Sequence, residues 1–234
     1  MTQDQFEKQL KLFEGYADYF YLDTVGEVTI GTGLMFKKVE EVFQKKIKFI
    51  QKAGFKAATE QEIRDDFKKV KSSIKGQKLK YYEKLTNLKA NSGQLALEFR
   101  LRLRFATLEA KKYYENDILR DSEAMFKQFS DLPEDVQYAL IDMSYNLGYK
   151  RLSKFTTLRA NLRRGNWEEA AEQSHRRGIP FSRNKKIFDW IEQYKGNSSF
   201  DKSFENTGHS MFMDAKKSTG THKIIPPATF GDRG

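Results

Sequence analysis

The spacing of apolar residues changes early in the chain, and that change constrains the fold more than any other feature. Phe6, Leu10 and Phe13 recur at helical intervals, so residues 4 to 14 read as a short amphipathic helix. Gly15 stops it. Tyr19 to Asp23 then reads as a strand, Thr24-Val25-Gly26 as a turn, and Glu27 to Ile30 as a return strand of alternating character. Val28 and Ile30 share one face of that strand, Glu27 and Thr29 the other. A hairpin closed at Gly26 brings Asp23 near Thr29. Gly31 and Gly33 let the chain leave it with little steric constraint.

Glu14 falls on the last turn of the first helix, where the macrodipole disfavours a carboxylate, so its place there hints at a use other than helix stability. An acid at a helix end, with a second acid and a hydroxyl on a nearby hairpin, suits hydrolysis of an acetal. That reaction needs one carboxyl to donate a proton to the leaving oxygen and another group to handle water or the developing cation. Phe13 and Tyr16 are positioned in sequence to wall the first carboxyl, while the hairpin leaves the second open to water. On this reading Glu14 is the general acid, Asp23 holds water or stabilises positive charge, and Thr29 gives that water a second hydrogen bond. Spacing alone leaves a plainer reading open: a helix terminus followed by an exposed turn.

The run Glu14-Gly15, Asp23 nine residues on, and Thr29-Ile30-Gly31-Thr32-Gly33 six beyond resembles the catalytic signature of the phage-type lysozymes, glycoside hydrolase family 24. Two further blocks agree in order: Ala139 to Gly148 with Phe155-Thr156, and Trp167-Glu168-Glu169-Ala170-Ala171. They are similar to the buried helix of that family's larger lobe and to the helices after it. The resemblance covers roughly residues 6 to 35 and 130 to 195. It implies a lysozyme-like α+β fold, mostly α, with a small N-terminal β-hairpin lobe, a larger helical lobe and a cleft between them. It also implies a muramidase that cuts the β-1,4 bond between N-acetylmuramic acid and N-acetylglucosamine in peptidoglycan, inverting the anomeric centre. Glu14, Asp23 and Thr29 take the catalytic places. Tyr145 falls where the family has an aromatic residue facing the sugar, Gln173 where it has a sugar-binding amide, and Arg183 where an arginine pairs with the catalytic acid.

The chain departs from the pattern in two places. Leu34 stands where the family often has His, so that side chain's polar contact with the smaller lobe is absent. The stretch from about 36 to 129 is longer than usual and reads as a helical insertion. Phe36, Val39, Val42, Phe43, Ile47 and Ile50 keep helical spacing, and Thr59 with Glu62 forms a capping box for a helix through Val70. Leu79 to Leu88, Leu95 to Leu108 and Lys111 to Phe129 read as further helix, broken at Gly76 and Asn91-Ser92-Gly93. Arg100, Arg102 and Arg104 alternate with Leu101, Leu103 and Phe105, but the surrounding leucines favour a helix with a basic flank.

The larger lobe runs from about Asp131 to Tyr194, with Asp131 and Pro133 opening a helix buried on most sides and Gly165 separating two later ones. Residues 1–195 thus form the catalytic domain. Residues 196–234 read as a mostly irregular tail, with Phe200, Phe204, Met211 and Phe212 available to pack on the lobe and Pro226-Pro227 extended.

A net charge of +10 in 234 residues fits a polyanionic partner, and it fits a solvated helical surface equally well. Peptidoglycan glycan strands are the expected partner. Nucleic acid is not, because Lys37-Lys38, Lys45-Lys46 and Lys68-Lys69 lie on polar faces without consistent aromatic interleaving. With no cysteine and no metal-ligand spacing among His175, His209 and His222, neither a disulfide, a metal nor a cofactor is expected. No transmembrane segment and no signal peptide is expected either, so a wall-degrading enzyme of this sequence would reach its substrate by phage-type release or contact-dependent secretion. Delivery machinery and an immunity protein are candidate protein partners, and a monomer is the simplest state. The reading of a different class is a catalytically idle lysozyme-like module that binds glycan or a partner within a phage or secretion structure.

Overall fold

The first helix, α1 (Gln3–Glu14), begins where Thr2 and Gln5 cap each other. The Thr2 hydroxyl accepts from the Gln5 amide at 3.3 Å and the Gln5 side chain accepts from the Thr2 amide at 2.9 Å. The computed structural model describes residues 1–196. The tail readings at Phe200, Phe204, Met211, Phe212 and Pro226-Pro227, like His209 and His222, lie outside the described residues. Gly15 ends α1 at φ 71°, a left-handed value that costs a side-chain-bearing residue free energy but glycine almost none.

The expected hairpin follows as β1 (Ala17–Leu22) and β2 (Val28–Gly31), with Tyr21 opposite Thr29 and Leu22 opposite Val28. A third strand, β3 (Leu34–Phe36), pairs antiparallel with β2 and completes a three-stranded sheet.

The stretch after β3 corrects the expectation of one helix from Phe36 to Ile50. Only α2 (Val39–Gln44) is helical; Lys46 turns left-handed at φ 53°, and the chain re-enters as β4 (Phe49–Gln51). Its partner, β5 (Leu88–Ala90), lies where helix was expected to run on to Leu88, so the region is a mixed segment with a second, two-stranded sheet. The reason is tertiary. Ile47, Phe49 and Leu88 bury themselves in the small lobe's apolar cluster, and burial on a pleated surface outweighs a weak local helical period. Between these strands lie α3 (Glu60–Lys71), capped by the expected Thr59–Glu62 box, and α4 (Leu79–Leu85).

Helix α5 (Ser92–Glu115) follows, with the Asn91 side chain accepting from the Gln94 amide at 3.0 Å. Its 24 residues make it about 36 Å long at 1.5 Å per residue. It runs through Leu108 to Lys111 without a break and ends at Asn116. Asp117 is then left-handed at φ 59°, and residues up to Phe129 contain single 3-10 turns rather than the expected helix. The rest is helical: α6 (Glu134–Leu147), α7 (Tyr149–Leu152), α8 (Thr156–Arg164), α9 (Trp167–Gln173) and α10 (Phe181–Glu192). Gly165, left-handed, separates α8 from α9 as expected. Tyr138 to Ser144 of α6 is continuously buried.

The apolar residues form two clusters. The smaller gathers the strands with Val42, Ile63, Phe67, Val70 and Tyr82. The larger gathers α6 to α10 together with Phe6 and Leu10 of α1; Phe6 stacks on Tyr138 at 4.5 Å between ring centres. Helix α5 belongs to both, giving Leu95 to the smaller and Phe99, Leu103, Ala106 and Ala110 to the larger. The chain is thus α+β and mostly α, and a single helix is the strut common to both cores. Among the described residues no helix is long and apolar enough to cross a membrane.

Candidate active site

Glu14 is held at the end of α1 by an arginine from the opposite end of the described chain. Arg183, in the first turns of α10, places Nη2 at 2.8 Å from Glu14 Oε1, and their side chains are only 6% and 17% exposed. The contact is an ion pair rather than a well-directed hydrogen bond. It offsets the unfavourable placement of a carboxylate at the negative end of the helix dipole. The Phe13 ring lies under the same guanidinium, 5.1 Å from its centre. Tyr16, expected as a second wall, does not take part. It is 47% exposed, and the carboxylate that acts on its phenol is that of Asp18. The extended Gly15 (ψ 165°) carries the chain away from α1 before residue 16, so the acid is walled by charge rather than by two aromatic rings.

Arg183 is itself shared. Its Nε lies 3.2 Å from both carboxylate oxygens of Asp142 and its Nη2 3.0 Å from Oδ2. Asp142, wholly buried on α6, also accepts from Arg176 Nη1 at 2.8 Å. Asn184 fixes Arg176 in turn, accepting from its Nε at 3.2 Å and donating to its carbonyl at 2.8 Å. Two carboxylates and two guanidiniums therefore balance in charge, and the opposite charges offset the cost of withdrawing them from solvent, although Glu14 Oε1 and Arg176 Nη2 are buried without a hydrogen-bond partner. The two arginines respond differently. Burial pushes both down; for Arg183 the Asp142 and Glu14 charges outweigh it and the net shift is upward, whereas for Arg176 burial prevails.

The other carboxylate is organised locally. Asp23 Oδ1 accepts from the Val25 amide at 3.0 Å and the Glu27 amide at 2.8 Å, and the Asp23 amide donates to the Glu27 carbonyl at 3.0 Å. The side chain thus shapes the turn that carries it. No described residue donates to Oδ2. Because Asp23 faces Glu27 and Tyr21 faces Thr29, Thr29 is the diagonal same-face neighbour of Asp23, as the hairpin reading expected. The Thr29 hydroxyl is buried and donates to the Glu27 carbonyl at 3.1 Å, leaving its oxygen as an acceptor.

Tyr21 relates the two acids. Burial raises its phenol well above the ordinary tyrosine range, and the negative charges of Asp23 and then Glu14 raise it further. Both carboxylates therefore lie within electrostatic reach of one hydroxyl. Gly33 flanks the same point at φ 80°, and a Cβ there would meet Glu14 Oε2 at 3.5 Å. Tyr145 also reaches the cluster. Burial raises its phenol, Arg102 lowers it and Glu14 raises it, and its hydroxyl donates to the Thr32 carbonyl at 3.4 Å.

Glu14, Asp23, Thr29, Tyr145 and Arg183 thus belong to one neighbourhood, and Gln173 does not join it by any described contact. It is exposed at the last position of α9, with no hydrogen bond or ion pair to the cluster among the described residues. Sequence reading missed Tyr21, Arg102, Asp142 and Arg176. Asp142 did leave a signal, as an ionisable residue within the apolar run Ala139 to Met143; Arg176 left none.

A cavity of about 340 Å³ on the small lobe contains none of these residues. Its Lys52 is bound to the Glu83 carbonyl and to Thr86, and its Asp66 accepts from the Asn87 and Leu88 amides, so its polar groups serve the fold. No group of side chains suited to a metal ion occurs among the described residues. No protein-family model matches the chain, and no curated protein matches it.

Proposed function

We propose that the chain is a muramidase of the phage-lysozyme type, hydrolysing the β-1,4 bond between N-acetylmuramic acid and N-acetylglucosamine in peptidoglycan with inversion. Glu14 donates a proton to the leaving glycosidic oxygen. Asp23, through Oδ2, accepts a proton from the attacking water, and Thr29 offers that water its acceptor oxygen. Arg183 orients the acid. Inverting enzymes hold such carboxyls about 6.5–9.5 Å apart so that a water fits between sugar and base. The observation that carries this reading is the expected arginine 2.8 Å from the acid, with both side chains largely withdrawn from solvent.

The test is digestion of purified peptidoglycan by the wild-type chain and by Glu14→Gln, with mass analysis of the soluble fragments. Wild type releases reducing disaccharide peptides; the variant is slower by roughly 10²- to 10⁴-fold, the usual worth of a positioned acid. Equal release by both proteins removes Glu14 from the mechanism.

One observation favours the second reading, an idle glycan-binding or partner-binding module. Asp23 Oδ1 and the Thr29 hydroxyl proton are both engaged by the hairpin's own backbone. That reading predicts binding to insoluble peptidoglycan with no fragment release from wild type.

A further inference from the structure

We propose that Arg102 is a positioning residue that ties the turn between β2 and β3 to α6 and so fixes the backbone wall beside Glu14. Arg102 projects from α5 between Phe99 and Leu103, both of which are buried in the larger cluster. Its Nη1 donates to the Thr32 carbonyl at 2.7 Å, and its guanidinium lies 4.7 Å over the Tyr145 ring. The Tyr145 hydroxyl donates to that same carbonyl at 3.4 Å. One acceptor on the small lobe therefore receives a donor from the strut helix and another from α6, and the two donors are stacked on each other. A carbonyl has two lone pairs, so both bonds can form together.

The tie reaches the acid through Gly33. The Cβ position of that glycine is 3.8 and 3.9 Å from the two terminal nitrogens of Arg102 and 3.5 Å from Glu14 Oε2. Guanidinium and carboxylate thus flank one backbone unit, and a shift of the turn changes the space beside Oε2. Leu34, next along, pairs with Ile30 through the sheet but has no polar side-chain group to add to the tie. Arg100 and Arg104 are exposed, whereas Arg102 is half-buried, which separates it from the basic flank to which its spacing assigns it. The tie is independent of the muramidase reading, while its catalytic consequence rests on that reading.

The chain has no cysteine, so two introduced ones are unique labelling sites. Spin labels at Lys56→Cys on the small lobe and Lys154→Cys on the helical lobe, both exposed positions, report lobe separation by pulsed electron paramagnetic resonance. The labelled parent gives a narrow distance distribution. Arg102→Met broadens or lengthens it, Tyr145→Phe does so less, and Arg102→Lys, which keeps a donor but not the planar stack, falls between parent and Arg102→Met. Peptidoglycan hydrolysis by Arg102→Met falls roughly 10- to 10²-fold, mainly in kcat, as expected of a misplaced acid. A parental distribution in both Arg102→Met and Tyr145→Phe overturns the tie; should Arg102→Met fail to fold, Tyr145→Phe alone decides by the same criterion. A broadened distribution in a protein whose wild type releases no fragments upholds the tie and removes the muramidase reading. A broadened distribution with undiminished hydrolysis removes the positioning role.

Discussion

The two proposed carboxylates are held in opposite ways. Glu14 depends on Arg183, Asp142 and Arg176, side chains far away in sequence that meet it only in the finished fold. Asp23 depends on the amides of Val25 and Glu27, its immediate neighbours. An acid fixed by distant groups has an orientation set by the whole helical lobe, whereas one fixed by its own turn is correct once the hairpin has formed. Damage far from the site should therefore reach Glu14 and spare Asp23.

Substitution of Asp142 by Ala tests that contrast most severely. It leaves Arg176 and Arg183 buried without their shared partner, and removal of one member of a buried ion set costs about 3–5 kcal/mol. Chemical denaturation should show a loss of that size, with the hairpin's amide-exchange protection falling less than that of α6. Equal loss of protection in both regions breaks the comparison.

Asp23 offers the converse test, since its turn-shaping and chemical roles separate. Asp23→Asn keeps an acceptor for the two amides and should lose well under 1 kcal/mol, while Asp23→Ala loses about 1 kcal/mol. On the proposed mechanism both are equally inactive on peptidoglycan, because neither has a base. If Asn retains hydrolysis and Ala does not, the residue serves the turn alone.

The finest probe is Tyr21, which belongs to the hairpin yet feels the acid. Its phenol is raised in the folded protein, so the native state holds this proton more tightly than the unfolded chain does. The associated stability is fully present below the ordinary tyrosine value of 10.0 and is lost as pH rises above it through the higher folded value. Tyr21→Phe should therefore flatten part of the alkaline decline in stability. In ultraviolet titration, the difference between wild type and Tyr21→Phe should place this ionisation above pH 10, and Glu14→Gln should move it down by removing one of the two negative charges. No movement would mean that the acids do not share this phenol.

The legible parts of the fold were those written in consecutive residues. Phe6 and Leu10, then Gly15, then the Asp23 turn each carry a local physical cause, and the helix and hairpin came out as expected. Residues 36–50 misled because Ile47, Phe49 and Ile50 satisfy either period over so short a span, and β4 and β5 are three residues each. Only the pairing of one with the other selects strand. The site shows the same limit. Glu14 and Asp23 were visible, and Asp142 was visible as an anomaly, but Arg102 looked identical to Arg100 and Arg104 until the fold turned one of the three toward Thr32. Gln173, placed by resemblance alone, has no contact that draws it in.

Helix α1 packs among helices that lie more than a hundred residues further along the sequence. Phe6 rests on Tyr138 and Trp190, and Glu14 meets Arg183. During synthesis the strands and α3 to α5 emerge with their own apolar cluster and can consolidate early, while α1 waits for α10 to leave the ribosome. The acid's setting then forms only after α10 has emerged, and nascent chains that stop short of α10 carry Glu14 without its partner.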